Sequence, residues 1–288
     1  MALGPILGVL FDGFAYGMLL FLLSVGLSVT LGMMNFVNLA HCSFAMVGGY
    51  ATVTLVGKFG WPFLATLPMA FILAALLSIP LERVLYRRLY RASDLDQCLL
   101  TIGIVFISVA AFAWFYTTEQ QSTQVPAWLQ GSVKIGGMSF AAYRIFLIAV
   151  GLAVTGILIL LLEKTRFGAQ VRAAVDNQRM ARGLGIDVDR AFMFTFALGG
   201  GLAGLGGALA IQVVGLDPTF ALSYLVYVLI VVAVGGLGSI GGSFAAATVL
   251  GISDMAGKYY FPWLGAFLIY LVMVALLMWR PVGLFGKR

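Results

Sequence analysis

Residues 141–162 read AAYRIFLIAVGLAVTGILILLL, and this stretch decides the class of fold. The only charged residue in it is Arg144, near its start. An α-helix needs about 20 apolar residues to cross the hydrocarbon core of a bilayer, which is roughly 30 Å thick. The stretch therefore predicts a transmembrane helix.

The composition of the chain extends this prediction to the whole protein. Of its 288 residues, 62% are hydrophobic and 10% are charged, whereas about a quarter of a soluble domain is charged. Because so few charged side chains cannot cover a surface in water, the outer surface must face lipid. The 36 glycines lie within apolar runs, where small residues let helices approach closely in a bilayer.

Further apolar runs of similar length predict an all-α, polytopic membrane protein with about 8–9 transmembrane helices. Two runs that precede the final one, 222–238 and 241–257, are short and interrupted by glycine, so we expect one or both to be broken or re-entrant. The whole chain, 1–288, is expected to form a single transmembrane domain. The predicted spans lie near 8–32, 35–57, 62–82, 97–116, 141–162, 191–214, 222–238, 241–257 and 262–280.

Most Lys and Arg residues fall in three segments, namely 82–96, 163–190 and the C-terminus from Arg280. The positive-inside rule places these segments in the cytoplasm. Nine crossings with an outward N-terminus and a cytoplasmic C-terminus satisfy this placement. Loop charge also explains the net charge of +6, so we expect no nucleic-acid partner. The outward loops are then 58–61, 117–140, 215–221 and 258–262.

The cytoplasmic loop 163–190 includes KTRFGAQVRAAVDNQRMARGLGIDVDR, which begins at Lys164. Thr165 is a suitable cap for a short helix, and Gly183 and Gly185 are suitable residues to end it. The segment is either a basic loop that obeys the positive-inside rule or a helix that docks in a groove of a cytosolic partner. Its apolar face would carry Phe167, Val171, Ala174 and Val175, with Arg172, Asp176 and Arg179 elsewhere.

A polar cluster, Asn35, Asn38, His41 and Ser43, interrupts two apolar runs. Polar side chains are costly in lipid unless they face protein or a cavity. The cluster predicts either a turn near the cytoplasmic face or a broken helix that lines the translocation path. A metal site is not expected, because a single histidine without nearby carboxylates is a poor set of ligands.

The glycine block Gly235, Gly236, Gly238, Gly241 and Gly242 contains a literal GxGxxG. A dinucleotide site requires a soluble βαβ unit around that motif, but its flanks are apolar runs of membrane length. The block instead predicts a helix break or close helix packing.

The chain has no GxxxxGK[ST] phosphate loop and no Ser/His/acid or Cys/His set arranged for nucleophilic catalysis. We therefore expect no catalytic residue, no cofactor and no metal in this chain. Buried acidic residues, which a proton- or sodium-coupled carrier usually needs, are also few. Energy for transport is then expected to come from another polypeptide.

Four blocks of the chain, in order, resemble LivH-type permeases of bacterial branched-chain amino acid ABC importers. They are GMMNFVNLAH at 32–41, ERVLYR at 82–87, the 163–190 loop with its LGIDVDR ending, and GGLGSIGG at 235–242. The resemblance implies an importer permease in the inner membrane with a coupling loop at 163–190. The residues that it implies for ATPase coupling are Arg166, Phe167, Gly168, Arg172, Arg179, Arg182, Gly185, Asp187 and Arg190.

The resemblance also implies partners. They are a homologous second permease, two cytosolic ABC ATPases that hydrolyse the ATP, and a periplasmic solute-binding protein. Similar permeases serve leucine, isoleucine and valine, while other relatives handle urea, amides and aromatic or other carboxylates, so these substrates remain alternatives. An autonomous secondary transporter is the alternative from a different class.

Overall fold

The computed structural model describes residues 3–34, 36–90, 92–135 and 137–286. Within these residues the chain is almost entirely helical, which confirms the all-α fold. The helices are α1 (Leu3–Met34), α2 (His41–Gly57), α3 (Phe63–Leu81), α4 (Arg87–Leu89), α5 (Asp94–Tyr116), α6 (Ala127–Gln130), α7 (Ala142–Lys164), α8 (Arg166–Asp176), α9 (Gln178–Gly183), α10 (Val188–Val214), α11 (Phe220–Gly235), α12 (Ile240–Tyr260) and α13 (Gly265–Trp279).

Nine of the helices in the described residues correspond to the nine predicted spans. Five of them are long and apolar enough to cross a membrane by themselves: Gly4–Gly32, Phe63–Leu89, Asp94–Tyr116, Ala142–Lys164 and Val188–Val214. Helices α2, α11 and α13 have 17, 16 and 15 residues. At 1.5 Å per residue they are about 22–26 Å long and somewhat shorter than the bilayer core.

Helices α1 and α10 form the centre of the bundle. In their apolar stretches, 61% and 83% of the residues are buried, against 11% in α5. Helix α5 therefore lies at the periphery, where its exposed apolar side chains face lipid or another subunit.

Small residues bring the backbones of the central helices into contact. A Cβ atom at Gly48 of α2 would collide with the backbone of Gly204 of α10. A Cβ at Gly207 would collide with the Ala45 carbonyl of α2. Such close approach is the usual basis of helix association in lipid, where the hydrophobic effect does not drive helices together.

Helix α3 extends further than the predicted span 62–82. A π-helical turn, Glu82–Tyr86, continues it into α4, so the chain remains helical to Leu89. The prediction ended the helix at the first charged residues, but a helix can leave the bilayer without ending.

The outward segment 117–140, predicted as a loop, contains a small hairpin. Strands β1 (Ser132–Ile135) and β2 (Met138–Ala141) pair antiparallel, with Ser132 opposite Ala141. The segment is fastened to the loop after α10, because the Gln121 amide donates to the Leu216 carbonyl at 2.7 Å. The hairpin is too short to have shown a pattern of alternation in the sequence.

Replacing Gly48 with valine tests the close contact of α2 with α10. We expect Gly48→Val to lower the free energy of unfolding by roughly 1–3 kcal/mol, because overpacking forces the helices apart. The measurement is the midpoint of thermal denaturation in detergent. Gly156→Val on α7 is the control, since nothing lies within 4 Å of a Cβ placed there; an equal loss from both variants would contradict the prediction.

Candidate functional site

Helix α8 folds back onto the end of α7. The Thr165 hydroxyl accepts a hydrogen bond from the Gly168 amide at 3.3 Å and caps the helix, as its sequence position predicts. Gly168 lies so close to Leu162 that any Cβ would collide with the Leu162 carbonyl. The Arg172 guanidinium donates to the same carbonyl oxygen, which is among the last four of α7 and has no partner within that helix. Gly168 and Arg172 therefore fix α8 to α7.

The predicted single helix in the 163–190 loop is in fact two helices. Asn177 takes an extended conformation, with φ of −155° and ψ of 95°, and separates α8 from α9. Its side-chain oxygen accepts a hydrogen bond from the Met180 amide at 3.0 Å. Asparagine favours helix caps over helix interiors because its side chain competes for backbone groups, and this preference explains the break.

A glycine just after α9 ends this helix, and the residues on the inner face of the loop pack against the bundle. Gly185 has φ of +82°, and the following Ile186 amide reaches back to the Ala181 carbonyl at 3.0 Å. This is the usual glycine-terminated end of a helix. A buried cluster joins the loop to the ends of α1, α4 and α10; it consists of Ala174, Ala181, Val188 and Phe192, with Met34, Tyr90 and Ile186 against it.

The outer face of the loop exposes large apolar side chains. Met180 is 67% exposed and Leu184 is 79% exposed, while Val175 is partly exposed. The sequence predicts Val175 on the same apolar face as Val171 and Ala174, but Val171 and Ala174 are buried and Val175 is not. Met180 and Leu184 are not among the contact residues predicted from the sequence. No clear signal for them was present there, because single apolar residues are common on protein surfaces and only a contiguous patch marks a contact.

Ion pairs connect the loop to the start of α4. Asp189 pairs with Arg182 at 2.9 Å and also with Arg87. Asp187 pairs with Arg190 at 2.9 Å, and its Oδ1 accepts a hydrogen bond from the Arg190 amide at the start of α10. Among the coupling residues predicted from sequence, Arg182, Asp187 and Arg190 are thus engaged within the chain.

A charged cavity of 330 Å³ lies beside these pairs. At its edge the Tyr90 hydroxyl donates to Glu82 Oε1 at 2.6 Å. Burial, followed by this hydrogen bond, raises the pKa of Tyr90, so the hydroxyl remains a donor. Among residues 3–34, 36–90, 92–135 and 137–286, no group of three or more His, Cys, Asp and Glu side chains is placed to hold a metal ion. The cavity is lined by Glu82, Arg83, Arg87, Asp187, Asp189, Arg190 and Met193.

His41 and Ser43, two of the predicted path residues, contact different helices. His41 is buried, and its Nε2 lies 3.1 Å from the Leu23 carbonyl oxygen of α1. The Ser43 hydroxyl lies 2.8 Å from that of Ser108 on α5. Both side chains are therefore satisfied inside the bundle, and they do not converge on one point.

Gln97 holds the extended chain between α1 and α2, next to Asn38 in the sequence. Asn38 is buried, and its Oδ1 has no partner within the described residues. Gln97, which the sequence analysis did not single out, accepts a hydrogen bond from the Val37 amide at 2.9 Å and donates to the Leu89 carbonyl at 3.2 Å. The remaining predicted path residue, Asn35, lies outside the described residues.

The glycine block lies between α11 and α12. Gly236 and Gly238 have φ of +92° and +76°, a region that glycine adopts without steric cost. A Cβ at Gly238 would lie 3.0 Å from the Gly32 Cα of α1. The turn is therefore packed directly against the end of α1.

The flanks of this turn are also held. The Ser239 hydroxyl accepts a hydrogen bond from the Gly242 amide at 3.0 Å and caps α12. The C-terminal tail reaches α11, where the Leu284 and Phe285 amides donate to the Val234 and Gly235 carbonyls. Gly241 differs from the rest of the block, because nothing lies within 4 Å of a Cβ placed there.

Comparison with known proteins places the chain in a family. The family described as "branched-chain amino acid transport system / permease component" matches residues 9–277. The chain belongs to this family.

Individual relatives are similar along nearly the whole permease. The probable branched-chain amino acid transport permease protein LivH of Methanocaldococcus jannaschii is 28% identical over 94% of this chain and 90% of its own length. LivH of Escherichia coli K12, a high-affinity branched-chain amino acid permease protein, is 25% identical over 96% of this chain and 94% of its own. LivM of Salmonella typhimurium is 25% identical over 93% of this chain and 68% of its own. No solved structure matches the chain.

The hydrogen bonds by which Gln97 holds the segment between α1 and α2 can be tested in this permease. We expect Gln97→Leu to lower the free energy of unfolding by roughly 1–3 kcal/mol, because the Val37 amide loses its acceptor. In a Cys98→Ser background, the variant should also speed maleimide labelling of the buried Cys42 at the start of α2. Gln130→Leu, at an exposed glutamine in α6, is the control. Unchanged labelling of Cys42 would show that Gln97 does not hold this segment.

Proposed function

We propose that this chain is the permease subunit of an ATP-binding cassette importer that moves branched-chain amino acids across the bacterial inner membrane. The observation that supports this most directly is the α8–α9 segment. It is fixed firmly to the bundle on one face and presents exposed Met180 and Leu184 among arginines on the other. An apolar patch with a basic rim is suited to a groove on a partner protein.

The contacts of the α8–α9 segment with the bundle would transmit a movement of a bound ATPase to three other helices. A push from a bound ATPase reaches α7 through the Leu162 carbonyl and reaches α4 through Asp189 and Arg87. It reaches α10 through Phe192, which is packed in the same buried cluster. Because α10 lies at the centre of the bundle, movement of the segment would switch the transport path between its outward-open and inward-open forms.

The chain would have no catalytic role of its own, and two cytosolic ATPases would supply the energy. A homologous second permease would complete the membrane part, since a LivM protein is also among the relatives. A periplasmic solute-binding protein would deliver the substrate. The branched-chain assignment is taken from the names of the relatives, and nothing in the fold favours urea, amides or other carboxylates.

The path residues Asn38, His41 and Ser43 remain predictions. Of these three residues, Asn38 has a buried acceptor, Oδ1, without a partner within the described residues, which suits a polar group that faces a path in another conformation. His41 and Ser43 would act as packing residues in the conformation described here, because each has a partner inside the bundle.

The cytoplasmic position of the C-terminus is tested by fusion proteins. We expect green fluorescent protein fused after Arg288 to fluoresce and alkaline phosphatase fused there to be inactive, because each folds on one side of the membrane only. Insertion of the two reporters after Gly137, in the turn of the outward hairpin, should give the opposite pattern. The same pattern at both sites would contradict the proposed topology.

Two variants separate docking of the ATPase from coupling. We expect Met180→Glu with Leu184→Glu to reduce the amount of ATPase that co-purifies with the permease pair by at least about tenfold, because charge is placed at the centre of the contact. Gly168→Val with Arg172→Ala should leave the ATPase bound but lower substrate-stimulated ATP hydrolysis, because α8 loses its attachment to α7.

Val133→Glu is the matched control, since it adds charge to an exposed apolar residue in the outward hairpin. It should change neither measurement. The coupling assignment fails if Gly168→Val with Arg172→Ala hydrolyses ATP like the wild type. Uptake by the purified chain alone, driven by an ion gradient, would instead support a secondary transporter.

A further inference from the structure

Helix α12 carries a charged pair that the function above does not use. The Lys258 ammonium lies 2.5 Å from Asp254 Oδ2, with the lysine side chain about half exposed and the aspartate side chain fully buried. The second carboxylate oxygen, Asp254 Oδ1, has no hydrogen-bond partner within the described residues. Charged residues within transmembrane helices are rare and usually mark substrate or ion pathways.

The pair contributes little to holding helices together. Asp254 and Lys258 are four residues apart on one helix, so their ion pair connects no two elements. The other ion pair near this end of the bundle, between Asp12 and Arg144, joins α1 to α7. Burying a carboxylate costs free energy. An ion pair within one helix does not compensate for that cost by holding two helices together.

Aromatic side chains surround the charged pair. The Lys258 ammonium lies 5.4 Å from the centre of the Tyr16 ring of α1, a distance at which the ring attracts a cation. Tyr16 lies near Tyr224 on α11. The Tyr224 and Tyr227 rings lie 5.7 Å apart, and Tyr227 is 6.3 Å from Tyr270 on α13. Tyr224 and Tyr227 are half-buried, and Tyr270 is exposed.

We propose that Asp254 and Lys258 form a binding site for the zwitterionic head group of an α-amino acid on the transport path, an inference that rests on the proposed function. The Lys258 ammonium occupies the place that the ammonium of the amino acid would take on the Asp254 carboxylate. When the amino acid binds, its ammonium replaces the Lys258 ammonium at Asp254 Oδ2 and also reaches Asp254 Oδ1. Lys258 then turns to the carboxylate of the bound amino acid.

This exchange keeps every charge paired. Neither Asp254 nor Lys258 is left without a counter-ion at any stage, so the large cost of an isolated buried charge is avoided. The aliphatic side chain of the amino acid then lies against the rings of Tyr224 and Tyr227. The site selects for the head group common to all α-amino acids and for an apolar side chain.

The test uses the complete importer, reconstituted in liposomes with its second permease, ATPases and binding protein, and ATP-driven uptake of radiolabelled L-leucine. The double variant Asp254→Asn with Lys258→Met leaves no unpaired charge, so it avoids the folding defect that a single neutralisation risks. We expect it to lower uptake by about 10- to 100-fold, the effect of losing charge-assisted hydrogen bonds. Lys258→Arg should retain most of the uptake, because it keeps the cation.

The charge-reversal variant, Asp254→Lys with Lys258→Asp, distinguishes a binding site from a structural pair. A purely structural ion pair would still form after its acid and base exchange positions. A head-group site needs the carboxylate at 254 and the ammonium at 258, so we expect uptake by the charge-reversal variant to remain low. Asp12→Asn with Arg144→Gln is the matched control, since it removes the partly exposed ion pair that joins α1 to α7 near the same end of the bundle. It should transport within about twofold of the wild type, because ion pairs with access to water contribute little free energy.

Direct binding is followed by saturation-transfer NMR on the complex without the binding protein. L-leucine should give a signal with the wild type and none with the double variant. Two probes that lack one charge, 4-methylpentanoate and 3-methylbutylamine, should give weaker signals with the wild type. The proposal is overturned if charge reversal restores uptake or if the double variant transports like the wild type. If the wild-type complex takes up no leucine at all, the proposed function fails instead.

Discussion

Contact between helix backbones, made possible by glycine, determines how this bundle is built. Gly26 of α1 lies against Gly199 of α10, and Gly48 of α2 lies against Gly204 of the same helix. In lipid the hydrophobic effect does not hold helices together, so dense packing must do so. The central position of α1 and α10 follows from these contacts. The segment that packs against the start of α10 is therefore connected to the helix at the centre of the bundle.

A second constraint comes from the interruptions between helices. Backbone groups that are not paired within a helix must find partners in a membrane protein, because lipid supplies none. Gln97 supplies a partner for the extended residues between α1 and α2. Outside the apolar spans, Asn177 caps α9 in a similar way. At each interruption a side chain accepts a hydrogen bond from a backbone amide, which fixes the backbone conformation between the helices.

Composition and the lengths of apolar runs were enough to predict the nine apolar helices seen in the described residues, because both depend on the bilayer rather than on tertiary contacts. The boundaries were less predictable: α3 runs past Glu82 through a π-helical turn, and the break at Asn177 divides a segment that had been read as one helix. The Gln97 tether was not predictable, because its partners are distant in sequence. The exposure of Met180 and Leu184 depends on which face of the loop packs against the bundle, and the sequence of the loop alone does not specify that face.

The pairing of residues 284–285 with the end of α11 has a consequence for the order in which the protein assembles. The Leu284 and Phe285 amides donate to the carbonyls of Val234 and Gly235, which are synthesised about fifty residues earlier. The turn after α11 therefore lacks these partners until the later residues have left the ribosome. A chain truncated after α13 would keep its transmembrane helices but leave these two carbonyls without the amides that pair with them.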